Sequence, residues 1–136
     1  MANAIKFFTD AVKGSQITVI TGSDLTDVYS GKNSVDRVIR QFIISSDDTS
    51  DQTATISMND GTNSVILGKV TIPDGAGTNG TDAAVDVIAS LATIFTEVDN
   101  AANKQLVVPS EWYLEVAMGS VTSGKKIMVT ILGAAE

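Results

Sequence analysis

The sequence predicts a mainly β fold: a jelly-roll-like antiparallel β-sandwich with one short helix. Three observations lead there. Apolar and polar residues alternate with a period of two in several separate runs, "TATISM" (53–58) and "EWYLEVAM" (111–118) being the cleanest, as half-buried strands require. Glycine (11) far outnumbers proline (2), and Thr, Ser, Asp and Asn fill the gaps between apolar runs, the composition of short strands joined by turns. A single segment, just after Gly80, combines a helical stripe with a capping residue.

In chain order, "SQITVIT" (15–21) places Ile17, Val19 and Thr21 on one strand face and Thr18 and Ile20 on the other. "SVDRVIRQFIIS" (34–45) is ambiguous, because Val35, Val38, Ile39, Phe42 and Ile43 have helical spacing and Ser34 stands in a cap position. Its density of β-branched residues and short flanking turns favour a strand, with Val38, Phe42 and Ile44 inward and Arg40 an exception on that face. "TATISM" then turns Ala54, Ile56 and Met58 inward and Thr53, Thr55 and Ser57 outward. The Asp-Gly pair of "NDGTN" (59–63) signals a hairpin, and "SVILGKVTIP" (64–73) returns as its partner, with a bulge expected at Gly68.

"PDGAGTNGTD" (73–82) reads as a flexible turn. Thr81 or Asp82 caps the helix that follows, whose stripe is Ala84, Val87, Ile88 and Leu91. "TEVDNAANKQ" (96–105) reads as a loop. Toward the end, Trp112, Leu114, Val116 and Met118 share one face, opposite Tyr113, Glu115 and Ala117. In "KKIMVTIL" (125–132) Ile127, Val129 and Ile131 oppose Met128, Thr130 and Leu132. Both faces are apolar, so this strand belongs in the middle of a sheet or under another subunit.

The chain has 136 residues, enough for one domain. We expect residues 1–14 to form an N-terminal arm or edge strand and residues 15–136 a single β-sandwich domain. Hydrophobic residues make up 43% and charged residues 18%, which supports a core and argues against disorder. Cys and His are both absent. That removes disulfides, thiolate nucleophiles, zinc sites of the usual donor set and histidine acid–base chemistry. A net charge of −7 repels phosphate backbones and anionic lipid, so neither nucleic acid nor membrane is an expected partner. "MANAIKFFTDAVKG" lacks a basic n-region and a convincing cleavage site, so no secretory signal is expected.

Four stretches invite a functional reading. Gly75, Gly77 and Gly80 satisfy G-x-G-x-x-G before a helix. However, Pro73 and Asp74 intervene after the strand, and Asp74 would set a carboxylate beside the phosphates. A turn is the better reading, and no cofactor is expected. "SSDDTSDQT" (45–53) gathers Asp47, Asp48 and Asp51 but matches no calcium-loop pattern; a solvated loop is expected, without metal. Glu111 and Glu115, on one strand face, would stand about 13 Å apart, too wide for paired carboxylate catalysis. Trp112 and Tyr113 suggest a carbohydrate platform, although a lone Trp at strand alternation is more often core. No residue is assigned a catalytic role, and the chain is not expected to be an enzyme. "IKFF" (5–8) is apolar at the extreme N-terminus; as a strand it would send Ile5 and Phe7 one way and Lys6 and Phe8 the other.

The order of elements resembles the small β-sandwich virion proteins of tailed bacteriophages, of the head decoration or cement type. The stretches that carry the resemblance are "GSDLTDVYSGKNSVDRVIRQFIISS", "TATISMNDGTNSVIL", "VTIPDGAGTNGTDAAVDVIASL" and "LVVPSEWYLEVAMGSVTSGKKIMVTILG". They are turn-and-strand patterns covering about four-fifths of the chain, the N-terminal arm excluded. The chain departs from the pattern at Ser30, where a Pro-containing turn is common, and in the long "ATIFTEVDNAANKQ" segment. The resemblance implies a structural protein of the virion, assembled in the host cytoplasm, that binds the major capsid protein and self-associates as a homotrimer. Ile5, Phe7, Phe8, Met128 and Leu132 are the candidate partner-interface residues. A neck, tail or baseplate fitting is the nearest variant. A carbohydrate-binding or host-adhesion module using Trp112, Tyr113 and the Asp-rich loops is the competing class.

Overall fold

The computed structural model describes residues 15–30, 37–91, 97–100 and 103–135. These form β1 (Gln16–Ile20), β2 (Thr26–Ser30), β3 (Arg37–Ser46), β4 (Gln52–Asn59), β5 (Ser64–Ile72) and β6 (Val85–Asp86). A four-residue helix (Val87–Ser90) follows, then β7 (Glu97–Asn100), β8 (Asn103–Val108), β9 (Tyr113–Met118) and β10 (Ile127–Ala135). Strands pair antiparallel in two sheets. Sheet I runs β1-β10-β3-β8-β7 with β6 added on β3, and sheet II runs β2-β9-β4-β5. With β6 and β7 set aside, the chain visits the sheets in the order I, II, I, II, II, I, II, I. Late strands thus insert between early ones, β10 between β1 and β3 and β9 between β2 and β4. That is the double Greek-key order of a jelly roll, and the expected fold class is the one observed.

One apolar core lies between the sheets. Phe42, Ile44, Val129 and Ile131 enter it from sheet I, and Ile56, Ile72, Leu114 and Val116 from sheet II, all of them fully buried. The alternation read from β4, β9 and β10 puts the expected residues inside. β10 is central, hydrogen-bonded to β1 on one side and β3 on the other, which accounts for its apolar inner set of Ile127, Val129 and Ile131.

Three bulges correct the phase where simple alternation fails. In the β3–β10 ladder Ile39 faces Gly133 and Gln41 faces Leu132, so the register skips Arg40. The extra residue returns Phe42 and Ile44 to the core while Arg40 lies exposed, which removes the exception noted in the sequence. Between β4 and β5, Ile56 faces Gly68 and Ser57 faces Ile66, leaving Leu67 as the inserted residue, beside the glycine where a bulge was expected. Between β2 and β9 the skipped residue is Val28, fully buried.

Two expectations are corrected. Most of the segment read as a loop at 96–105 is a hairpin in which Glu97 faces Gln105 and Val98 faces Lys104. It continues from Leu106 and Val108, which are buried against β3. The helix is also shorter than expected and is capped by neither Thr81 nor Asp82. Val85 and Asp86 are drawn into pairing with Ile44 and Ile43, so the helix begins one strand later. Asp86 becomes its cap, accepting from the Ala89 amide at 3.2 Å. Val87, Ile88 and Leu91 are buried as the stripe required. The N-terminal arm lies outside the described residues.

Phe42 is the largest fully buried side chain among the described residues. Phe42→Ala should cost about 3–5 kcal/mol, read as a lowered denaturation midpoint in a urea titration; a cost under about 1 kcal/mol would contradict the packing described here.

Candidate functional site

The Asp-rich loop between β3 and β4 sits at one end of the sandwich, beside the glycine turn (73–82) and the β9–β10 loop (119–126). Its aspartates serve the backbone. Asp48 is 1% exposed, and each of its carboxylate oxygens takes two hydrogen bonds. Oδ1 accepts from the Ser50 amide at 3.0 Å and the Thr122 hydroxyl at 2.6 Å. Oδ2 accepts from the Thr122 amide at 2.8 Å and the Gln52 side-chain amide at 3.0 Å. Burial pushes this carboxyl up, but the bonds from Thr122, Ser50 and Gln52 outweigh it and hold the pKa at about 2. Asp47 accepts from the Lys126 amide at 2.7 Å, and Asp51 from the Asp74 amide at 2.9 Å.

With about four acceptor sites on an ionised carboxylate, Asp48 has none left for a cation. Among the described residues, no group of three or more acidic side chains is placed to hold a metal. Thr49, Ser50 and Asp51 are exposed, as a solvated loop requires, but the buried Asp48 makes the loop a clamp joining three chain-distant segments.

The glycine turn docks onto this clamp. Gly75, Gly77 and Gly80 have φ of 63°, 77° and 76°, the left-handed region that glycine enters without penalty. Their turn is closed from within. The Gly75 amide donates to the Asp48 carbonyl, Gly77 to Asp82, and both Thr78 and Asn79 to Gly75. The amides that a dinucleotide fold would aim at a pyrophosphate already have carbonyl partners. The segment is a turn, as read, but it is tied down: Thr78 also donates its hydroxyl to the Ser46 carbonyl, and Asn79 Oδ1 accepts from the Thr81 and Asp82 amides.

The other sequence candidates separate. Glu111 lies in the turn before β9 at φ 70°, the one non-glycine residue with positive φ among those described. It is exposed, whereas Glu115 is buried on β9. They do not form a catalytic pair on one strand. Trp112 is half-buried and packs against the core, which leaves only part of its indole exposed. Glu115 instead joins a polar cluster on the outer face of sheet II that the sequence did not reveal, its Oε1 accepting from Ser64 Oγ at 3.2 Å and Asn59 Nδ2 at 3.4 Å. At the far end of β3, Arg37 is buried, and among the described residues its Nε has no hydrogen-bond partner. Burial raises the neighbouring Tyr29 hydroxyl above its ordinary range, and the Arg37 charge pulls it partly back.

Of the expected interface residues, Met128 and Leu132 stand on the outer face of β10, half-buried and exposed respectively, while Ile5, Phe7 and Phe8 lie outside the described residues. A second apolar site was missed. Val65 and Ile66, at the start of β5, are 57% and 63% exposed. Two consecutive β-branched residues after a polar hairpin were the visible signal, but the bulge at Leu67 that sets Ile66 opposite Ser57 on the outer face was not.

No family model matches the chain, and comparison with curated proteins and with solved structures yields no match.

The clamp makes stability depend on pH in a defined direction. Asp48 titrates at about 2 when folded, against 3.8 for an unperturbed carboxyl. Its contribution is therefore complete above that ordinary value and is lost as the pH falls from there toward 2. Asp48→Asn, offering one acceptor oxygen in place of two, should destabilise at pH 7 by about 2–3 kcal/mol and should lack that acid-limb loss. Thermal melts of both proteins from pH 7 downward check this; parallel curves would remove the clamp role.

Proposed function

We propose that this chain is a head decoration protein of a tailed-bacteriophage virion. In this reading it binds the major capsid protein, associates with copies of itself as a homotrimer, and reinforces the shell without catalysing a reaction. The observation that carries the reading is the Val65–Ile66 pair, exposed on β5, the outermost described strand of sheet II. A strand at a sheet edge that displays apolar side chains is a template for pairing with another chain. Support also comes from the fold, since jelly rolls are a common architecture of viral capsid proteins; that support is by analogy of fold. Support of a third kind is the clamp around Asp48, which gives a shell-bound protein a stiff end where loops would otherwise splay.

Jelly rolls also serve as lectins, so adhesion is the competing class. Of the side chains assigned to it, Trp112 packs on the core, and Asp47, Asp48 and Asp51 bind amides of their own chain, while Tyr113 is half-buried on β9.

Virions purified from the host that carries this sequence should contain hundreds of copies of the chain by quantitative mass spectrometry. Val65→Asp combined with Ile66→Asp should weaken binding to undecorated heads at least tenfold while leaving the melting temperature within a few degrees, since both sites are exposed. A handful of copies per particle, or a monomer at high concentration that ignores heads, would overturn the reading.

A further inference from the structure

At the end of β3 away from the Asp48 clamp, a cation is turned into the protein. Arg37 opens β3, in register with Val108 of β8 on one side and Ala135 of β10 on the other. Residues directly opposite in an antiparallel ladder share a face, and Val108 is fully buried in the core. Ile39, two residues along the strand and on the same face, is fully buried there as well. Arg37 therefore points between the two sheets, and it is only 9% exposed. Tyr29 of β2, 3% exposed, comes from sheet II, close enough for the guanidinium charge to act on its phenol.

No described residue answers that charge. The Nε of Arg37 is sealed from solvent and has no hydrogen-bond partner. Among the described residues two acids are buried, Asp48 and Glu115. Asp48 lies beyond the other end of the ten-residue β3, about 30 Å along the strand, with both its oxygens already taken. Glu115 faces outward from sheet II, toward Ser64 and Asn59. A lysine so buried could shed its proton; an arginine keeps its charge. A buried charge left without a counter-charge is strongly unfavourable, so this placement calls for an anion from outside the fold.

We propose that Arg37 and Tyr29 form a binding site for a small free carboxylate ligand, the guanidinium edge that carries Nε taking both carboxylate oxygens and the Tyr29 hydroxyl lying beside them. The chemistry matches the residue. One edge of a guanidinium presents two parallel N–H donors to a planar carboxylate, and Nε, the unbonded atom, is one of the two. The recess sets the size. With Arg37 and Tyr29 both buried, a slim head group reaches the fork where the face of a folded partner does not. The chain's net charge of −7 acts in the same direction, since it repels an acidic second copy far more than a single monoanion. The inference does not rest on the decoration reading, because a ligand site at this end is compatible with any partner on the β5 edge.

Arg37 and Arg40 are the only arginines of the chain, so two Nε–H signals are expected in a ¹H–¹⁵N spectrum, and Arg40→Lys assigns them. Sodium acetate is titrated into the full-length protein in place of sodium chloride at constant ionic strength. The Arg37 signal should move downfield and saturate, while that of the exposed Arg40 moves little. Tyr29→Phe should weaken the acetate affinity several-fold. Arg37→Met, which removes the unpaired cation, should fold and melt at or above the temperature of the unsubstituted protein, and its melting temperature should no longer rise with acetate. An Arg37 signal that acetate leaves unmoved overturns the proposal. So does a shift that fails to saturate or is shared equally by Arg40. A signal already downfield without acetate, which returns upfield on tenfold dilution of the protein, assigns the carboxylate to a second copy and overturns it too.

Discussion

The hydrogen bonds at Asp48 hold together the places where the chain changes sheets. A jelly roll must pass from one sheet to the other repeatedly, and each passage leaves backbone amides without ladder partners. Here the β3–β4 and β9–β10 crossovers and the glycine turn after β5 meet at one carboxylate and its neighbours. Asp48 takes the Thr122 amide from one crossover and the Ser50 amide from its own, while its carbonyl receives Gly75. Gln52 completes the arrangement, donating to Asp48 and accepting from Ser120 at 2.8 Å. A buried charge with fewer donors would be a liability; with both oxygens doubly bonded it fixes the relative height of strands in both sheets.

That fixed height matters because side-chain period in a strand is two, and a slip of one residue exchanges core and surface. The chain departs from strict alternation at Val28, Arg40 and Leu67, and each departure coincides with a register shift. The bulges absorb one residue apiece, so Phe42 and Ile44 still meet the core beyond Arg40. They also have outward consequences. The bulge at Leu67 leaves Ile66 facing outward beside Ser57, and that outward phase is what makes the β5 edge apolar.

Much of this was legible in the sequence because β4, β9 and β10 each bury one face and write that fact as alternation. Both apolar faces of β10 indicated a central position, and the Asp-Gly pair at 60–61 located a hairpin in which Asp60 Oδ1 accepts the Thr62 and Asn63 amides. What was not legible depends on partners far along the chain. The β7–β8 hairpin pairs Glu97 with Gln105 and Val98 with Lys104, too polar to announce itself; its anchor, Leu106 and Val108, lies at one end. Asp48 resembles its neighbours Asp47 and Asp51 in every local respect, and only Thr122, 74 residues away, makes it the buried member. Asp82 had the better local credentials as a helix cap, yet pairing of Val85–Asp86 with β3 moved the helix start to Asp86. In each case a tertiary contact overrode a local preference.

The same accounting changes the meaning of the net charge. Among the described residues, Asp47, Asp48, Asp51, Asp60 and Asp86 accept hydrogen bonds from backbone amides. Short strands with many turns create such amides, and aspartate is a side chain that caps them well. A good part of the chain's acidity is thus a consequence of its architecture and not the imprint of a cationic ligand. The charge nonetheless remains, and it repels other copies of the chain and any acidic surface at long range. Contacts strong enough to hold this protein against a partner must therefore form where the charge is absent, and among the described residues the register leaves two such places: the Val65–Ile66 edge of sheet II and the outer face of sheet I.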